Sequence, residues 1–142
     1  MSGPARLKIA RIRRIERLRE SERVTALREA AECHADRLRL QSLALRVDAI
    51  GSAQSGVSAP TSAAALQDRA AFAAAVSRLA RDTRAQGDLA DRRSASAMDR
   101  LARAEHRRDK VAERSRQLAD ELRLAASIDD SPDLARKLNR TR

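Results

Sequence analysis

A regular 3-4 spacing of uncharged residues in the second half of the chain constrains the fold more than any other feature. It runs from Leu66 to Ala125 in alternating steps of three and four residues. Only Arg69 and Arg108 are charged among these positions, although 35% of the chain is charged. Such a repeat, held over about eight heptads, predicts a helix of roughly 90 Å that packs along one partner. We call these positions the second-helix seam: Leu66, Arg69, Ala73, Val76, Ala80, Thr83, Gly87, Ala90, Ser94, Ala97, Leu101, Ala104, Arg108, Val111, Ser115, Leu118, Leu122 and Ala125.

The composition favours coiled-coil packing over a globular core. Among 142 residues there is no Trp, no Tyr and one Phe, Phe72, whereas globular cores of this size use several aromatic side chains. Abundant Ala and Arg are typical of long helices instead. Two packed helices bury one seam and enclose no pocket, so we expect a protein that is not an enzyme.

The predicted fold is all-α, an antiparallel two-helix coiled-coil hairpin with a flexible C-terminal tail. Residues 1–127 form one hairpin, with helices at about 5–50 and 63–127 joined by the uncharged, Gly- and Ser-rich linker 51–62. Residues 128–142 form the tail, in which a break precedes a short helical segment. A long parallel dimer, with the linker as a break, is the alternative arrangement.

The hairpin also carries an expectation about register. A short linker places Ile50 near Ala63 and Ala5 near Arg108. The second helix then extends beyond the N-terminus by about 20 residues, or roughly 30 Å.

The first helix shows two apolar stripes rather than one. We expect the second stripe to pack in the hairpin and the first, out of register with it by about a third of a turn, to face another partner. The first stripe is Ile9, Ile12, Ile15 and Leu18, and the second is Leu27, Ala31, His34, Leu38, Gln41 and Leu45.

The net charge of +10 is concentrated at the start of the first helix. Residues 6–19 hold seven basic groups and only Glu16 as an acid, whereas the second helix mixes both signs. A basic amphipathic helix can bind an acidic protein groove, an anionic membrane or phosphates. A second basic cluster, predicted to lie alongside, strengthens this docking hypothesis over a merely solvated face. The first surface comprises Arg6, Ile9, Ile12, Arg13, Arg14, Arg17 and Leu18, and the second cluster Arg100, Arg103, Arg107, Arg108 and Lys110.

No residue pattern predicts catalysis, a metal site or a cofactor. Cys33 is the only cysteine, so CxxC metal and redox motifs are excluded. His34 is its neighbour, but adjacent helical residues point about 100° apart, and we expect His34 to pack in the seam. His106 has no second ligand nearby, and no glycine loop for phosphate is present. No stretch is apolar enough to span a membrane, so we expect a cytoplasmic protein.

The N-terminal sequence Arg6-Leu7-Lys8-Ile9-Ala10-Arg11-Ile12-Arg13, followed by a charged coiled coil, a short linker and a longer second helix, resembles the FliJ family. These proteins of flagellar type III export are similar to the YscO group of virulence secretion systems. Length, basicity and scarcity of aromatics agree with this resemblance, which covers nearly the whole chain.

The resemblance implies a non-enzymatic component similar to the central stalk of rotary ATPases, peripheral at the cytoplasmic side of the inner membrane. Its partners would be a hexameric export ATPase, an export gate protein and export chaperones. The ATPase end would comprise residues 6–19 together with Leu118, Leu122 and Leu124. Weaker candidates for gate contact are Phe72, Leu79, Arg78, Arg81 and Arg84.

A basic helical nucleic-acid-binding protein is the alternative function. Phosphate contacts would use the same basic end and weaken steeply with salt. That end carries no aromatic side chain on which bases could stack, and acids are interspersed along the chain. We therefore favour a protein partner.

Overall fold

The computed structural model describes residues 3–60 and 62–129. They form two long helices, α1 at Gly3–Ser55 and α2 at Ala63–Asp129, and the predicted all-α hairpin is confirmed. The first helix ends five residues later than predicted, so the connection between the helices is shorter than the expected linker 51–62. The expected tail lies outside the described residues, apart from the last residues of α2.

The connection is held by local hydrogen bonds at both helix ends. Ser62 caps α2, since its Oγ accepts a bond from the backbone N–H of Ala65 at 3.2 Å, as its sequence position predicted. Thr61, the other expected cap, lies outside the described residues. The guanidinium of Arg69 donates to three carbonyl oxygens at 2.9–3.1 Å, and these belong to Gln54, Val57 and Ser58. Arg69 therefore satisfies carbonyls that the end of α1 leaves without intrahelical partners.

The second-helix seam is confirmed by burial along most of α2. All six buried residues of α2 are seam positions, and Ala97 is the most completely covered, with no exposed surface. Among the seam residues only Leu66, Ala73 and Ala125 are exposed. The buried set is small: Thr83, Ala90, Ser94, Ala97, Leu101 and Ala104. Small side chains bury little area each but let two helix backbones approach closely.

The packed side of α1 differs from the expected one. The stripe through Leu27, Leu38 and Leu45 is exposed, and the prediction that it packs in the hairpin was wrong. Most of the residues of α1 that are buried or half-buried follow a different and unbroken 3-4 series, without the predicted register break. We call this series the first-helix seam: Ala5, Ile9, Ile12, Glu16, Arg19, Arg23, Ala26, Ala30, Cys33, Arg37, Leu40, Ala44, Val47, Gly51 and Gln54.

Arginine explains why this seam was missed. Arg19, Arg23 and Arg37 occupy seam positions. In each, a guanidinium nitrogen lies 2.7 Å from a carboxylate oxygen of an acidic residue. Their methylene stems can cover apolar surface while the charged ends remain near water. A pattern search that treats arginine only as charged therefore rejects the stripe that packs.

The chain divides into two compact units. In the unit Leu27–Asp99, Arg37 pairs with Asp91 at 2.7 Å and Asp48 with Arg84 at 3.1 Å. Because the later residue of α1 pairs with the earlier residue of α2, the helices run antiparallel there. The other unit combines Met1–Ala26 with Arg100–Arg142.

The second unit is antiparallel as well. Its cross-helix pairs are Glu20 with Arg108 at 3.9 Å and Glu22 with Arg107 at 3.8 Å. At these distances the ion pairs are loose and solvent-exposed, so they indicate direction and register more than stability.

The register differs from the expected one at both positions used to predict it. A Cβ added to Gly51 would lie 3.7 Å from Val76 Cγ1, so the end of α1 packs well past Ala63. The bonds of Arg69 to the connection hold that segment against the second turn of α2, which agrees with this register. Arg108 pairs with Glu20 rather than lying near Ala5, so most of the predicted overhang of α2 is absent.

Candidate partner-binding surface

The start of α1 presents a basic surface that the described part of the chain does not neutralise. Six basic side chains there are exposed and form no ion pair with any described residue. Glu16, the only acid among them, is half-buried on the first-helix seam. Arg19, the seventh basic residue, is paired with Glu22 at 2.7 Å. We call this set the basic N-terminal surface: Arg6, Lys8, Arg11, Arg13, Arg14 and Arg17.

The isoleucines beside this surface are not available as predicted. Ile9, Ile12 and Ile15 are half-buried, and Ile9 and Ile12 belong to the packed seam rather than to a separate outward stripe. Leu18 is outward as expected, with 56% of its surface exposed. Leu7 is also exposed, and sequence reasoning missed it because the seam of α1 had been placed on the wrong side.

The leucines assigned to the same end of α2 fall into two groups. Leu118 and Leu122 are half-buried on the second-helix seam, so part of each side chain remains accessible. Leu124 is exposed over 64% of its surface. Of the apolar residues proposed for this end, Leu18 and Leu124 are therefore the most exposed candidates for docking.

The second basic cluster is largely occupied within its own unit. Arg107 and Arg108 lie near Glu22 and Glu20, and Arg108 Nε is also 3.3 Å from Asp109 Oδ1. Arg100 and Arg103 also have partners. The cluster does not simply add five positive charges to the basic N-terminal surface, as the sequence suggested.

Neighbouring arginines, Arg23 above all, affect the carboxylate of Glu20. Arg23 donates to it through Nη2 at 2.7 Å and through Nε at 3.1 and 3.2 Å. These bonds lower the pKa of Glu20, and the more distant charge of Arg108 acts in the same direction. The same contact raises the pKa of Arg23, so both groups stay charged around neutral pH.

The weaker set near the connection is partly exposed. Phe72 and Leu79 present less than half of their surface, and Arg78 and Arg81 are exposed. Arg84 is bonded to Asp48 and is the least available of this group. Ile50 is exposed as well and was not proposed from the sequence.

Cys33 and His34 point to different sides of α1. Cys33 is half-buried on the first-helix seam, whereas His34 is exposed, so the prediction that His34 packs in the seam was wrong. Cys33 lines an open groove of about 400 Å³ together with Leu40, Leu89 and Ala90. Among the described residues no group of three His, Cys, Asp or Glu side chains could hold a metal ion.

Comparisons with known proteins identify no relative from which a function could be inferred. No family model, curated protein or solved structure matches this chain. Neither of the two described helices contains a stretch apolar and long enough to cross a membrane.

Proposed function

We propose that this chain is a non-enzymatic stalk and escort component of a flagellar or type III protein-export apparatus. It docks on the hexameric export ATPase through the basic N-terminal surface, assisted by Leu18 and Leu124. The export gate protein and export chaperones are its further partners, with Phe72, Leu79, Arg78 and Arg81 as weaker candidates for gate contact. It acts in the cytoplasm, peripheral at the inner membrane.

The observation that carries the proposal is the absence of ion pairs for six basic side chains among the described residues. The same unit, Met1–Ala26 with Arg100–Arg142, also contains arginines that do lie near an acidic residue. These are the arginines at 19, 23, 107, 108, 114 and 123. A concentrated positive surface accelerates encounter with an acidic partner and fixes its register. The resemblance of residues 6–13 to FliJ, and the two-helix hairpin itself, support an export ATPase as that partner.

Charge reversal tests the proposal with purified components. We expect Arg13→Glu, Arg14→Glu and Arg17→Glu together to weaken binding to the purified export ATPase hexamer by at least about tenfold, because attraction becomes repulsion. The matched control is Arg46→Glu, Arg92→Glu and Arg93→Glu, which changes the net charge equally at exposed sites of the other unit, outside the surfaces assigned to export partners. Binding is measured by isothermal titration calorimetry and helix content by circular dichroism.

The two variants separate a site effect from a net-charge effect. Equal weakening by both triple reversals, or normal binding by the folded Arg13, Arg14 and Arg17 variant, would remove the basic N-terminal surface from the docking site. Tight binding to duplex DNA that falls steeply between low and moderate salt, with no binding to the ATPase, would instead establish the nucleic-acid alternative.

A further inference from the structure

A second 3-4 stripe on α1 faces solvent in the unit Leu27–Asp99. Leu27, Leu38 and Leu45 expose 45%, 51% and 71% of their surfaces. The residues between them at 3-4 spacing are exposed as well. We call this set the outward stripe: Leu27, Ala31, His34, Leu38, Gln41 and Leu45.

The outward stripe has the geometry that a packed helix requires. It runs from residue 27 to residue 45, which is about five helical turns or roughly 27 Å. Side chains at alternating three- and four-residue steps form a straight line that a second amphipathic helix can follow. Three exposed leucines on one such line are unusual for a surface helix face, which is ordinarily polar.

The charges on one flank of the stripe are mainly positive. Arg28, Arg39 and Arg46 are exposed next to it, against Glu32 as the acid on that flank. Within the described part of the chain, Arg28 and Arg46 form no ion pair. Arg39 has only an exposed contact of 3.5 Å with Asp36, which contributes little.

We infer that the outward stripe is a docking site for an amphipathic helix of another protein, with leucine-type residues at 3-4 spacing and acidic residues on its flanks. The leucines supply the apolar contact, and Arg28 and Arg46, which form no ion pair with any described residue, bind the acidic side chains on the flanks of the partner helix. A second copy of this chain fits less well, because the same arginines would face one another in a molecule of net charge +10. This inference does not depend on the export proposal.

A synthetic helix tests the site directly. The probe is a fluorescent peptide of about 21 residues with leucine at 3-4 spacing and glutamate at the flanking positions. We expect it to bind the full chain in an anisotropy titration, and Leu38→Asp with Leu45→Asp to weaken that binding by at least about tenfold. Backbone amides of residues 27–46 should exchange hydrogen more slowly with the peptide bound than in the unbound chain.

Two controls make the result specific. Leu66→Asp with Leu89→Asp introduces the same charges at exposed leucines of α2 and should leave peptide binding unchanged. The same peptide with lysine on its flanks should bind at least about tenfold more weakly.

Three results would overturn the inference. They are equal affinity for the glutamate and lysine peptides, equal loss in both leucine variants, and protection located outside residues 27–46. A concentration-dependent dimer that Leu38→Asp with Leu45→Asp abolishes would instead assign the stripe to a second copy, as seen by light scattering.

Discussion

Arginine has three separate uses in this chain, and they differ in what the guanidinium group contacts. At seam positions Arg23 and Arg37, the guanidinium meets Glu20 or Asp91 while the stem lies along the helix interface. Arg69 instead binds backbone carbonyls at the end of α1. On the basic N-terminal surface no described residue provides such a partner. The same residue type thus contributes to packing in one place and to a candidate docking surface in another.

Titration of Glu20 tests whether Arg23 holds the contact that the structure shows. We expect its carboxyl group to titrate below its ordinary value of 4.5, chiefly because Arg23 bonds the charged form. Arg23→Gln should raise the pKa of Glu20 toward that value, and Arg108→Gln should raise it less. The measurement is the side-chain ¹³C shift of Glu20 between pH 2 and 7.

The sign of the linked stability effect follows from the lowered pKa. Ionised Glu20 stabilises the folded chain above the pKa of the unfolded state, and this contribution is lost as the pH falls through the folded value. A Glu20 pKa at or above 4.5 in the unmodified protein would show that the Arg23 contact does not persist in solution.

The two helices differed in how far their packed sides could be predicted. In α2, uncharged residues mark the seam, so spacing alone predicted the positions that are buried. In α1, the packed side includes Glu16 and Arg37, while the leucines at 27, 38 and 45 lie on the exposed side. Hydrophobic periodicity indicates which residues could pack, but in α1 it does not reveal which of two stripes the other helix covers.

The candidate partner-binding surface could likewise be predicted from the sequence only in part. The charges of the basic N-terminal surface could be predicted, since exposure of arginine and lysine is the ordinary outcome. The role of Ile9 and Ile12 could not, because it depends on the register of α1 against α2. Spacing along the chain does not indicate such a register, just as it does not indicate the bonds of Arg69 to the carbonyls of the connection.

Gly87 offers a test of seam packing at the scale of one helix. A Cβ added there would meet no atom within 4 Å, although Gly87 is half-buried on the seam of α2. We therefore expect Gly87→Ala to raise the free energy of unfolding by about 1 kcal/mol through helix propensity, without a clash. The measurement is urea denaturation followed by circular dichroism.

The opposite exchange at the most buried alanine provides the comparison. Ala97→Gly should lower the free energy of unfolding by at least about 1 kcal/mol, because Ala97 is fully covered and a methyl group is lost. If Gly87→Ala destabilised the chain as Ala97→Gly should, the helices would approach more closely at Gly87 than the structure places them.

In the chain as a whole, α1 and α2 pair in an antiparallel direction, with Gly51 facing Val76. The four cross-helix ion pairs described above support that direction within their own units. The exposure of the basic N-terminal surface and of the outward stripe both follow from which side of α1 faces α2. A different register, or a parallel dimer, would change both candidate surfaces.

Disulfide formation tests this pairing most directly. In a Cys33→Ala background, Gly51→Cys with Val76→Cys should form an intrachain disulfide under mild oxidation, because the two positions are in contact across the helices. Non-reducing electrophoresis should show a monomer of altered mobility that reverts on reduction. Ile50→Cys with Ala63→Cys, the pair favoured by spacing alone, should remain reduced. Efficient crosslinking of that second pair, or covalent dimers from the first, would contradict the hairpin described above.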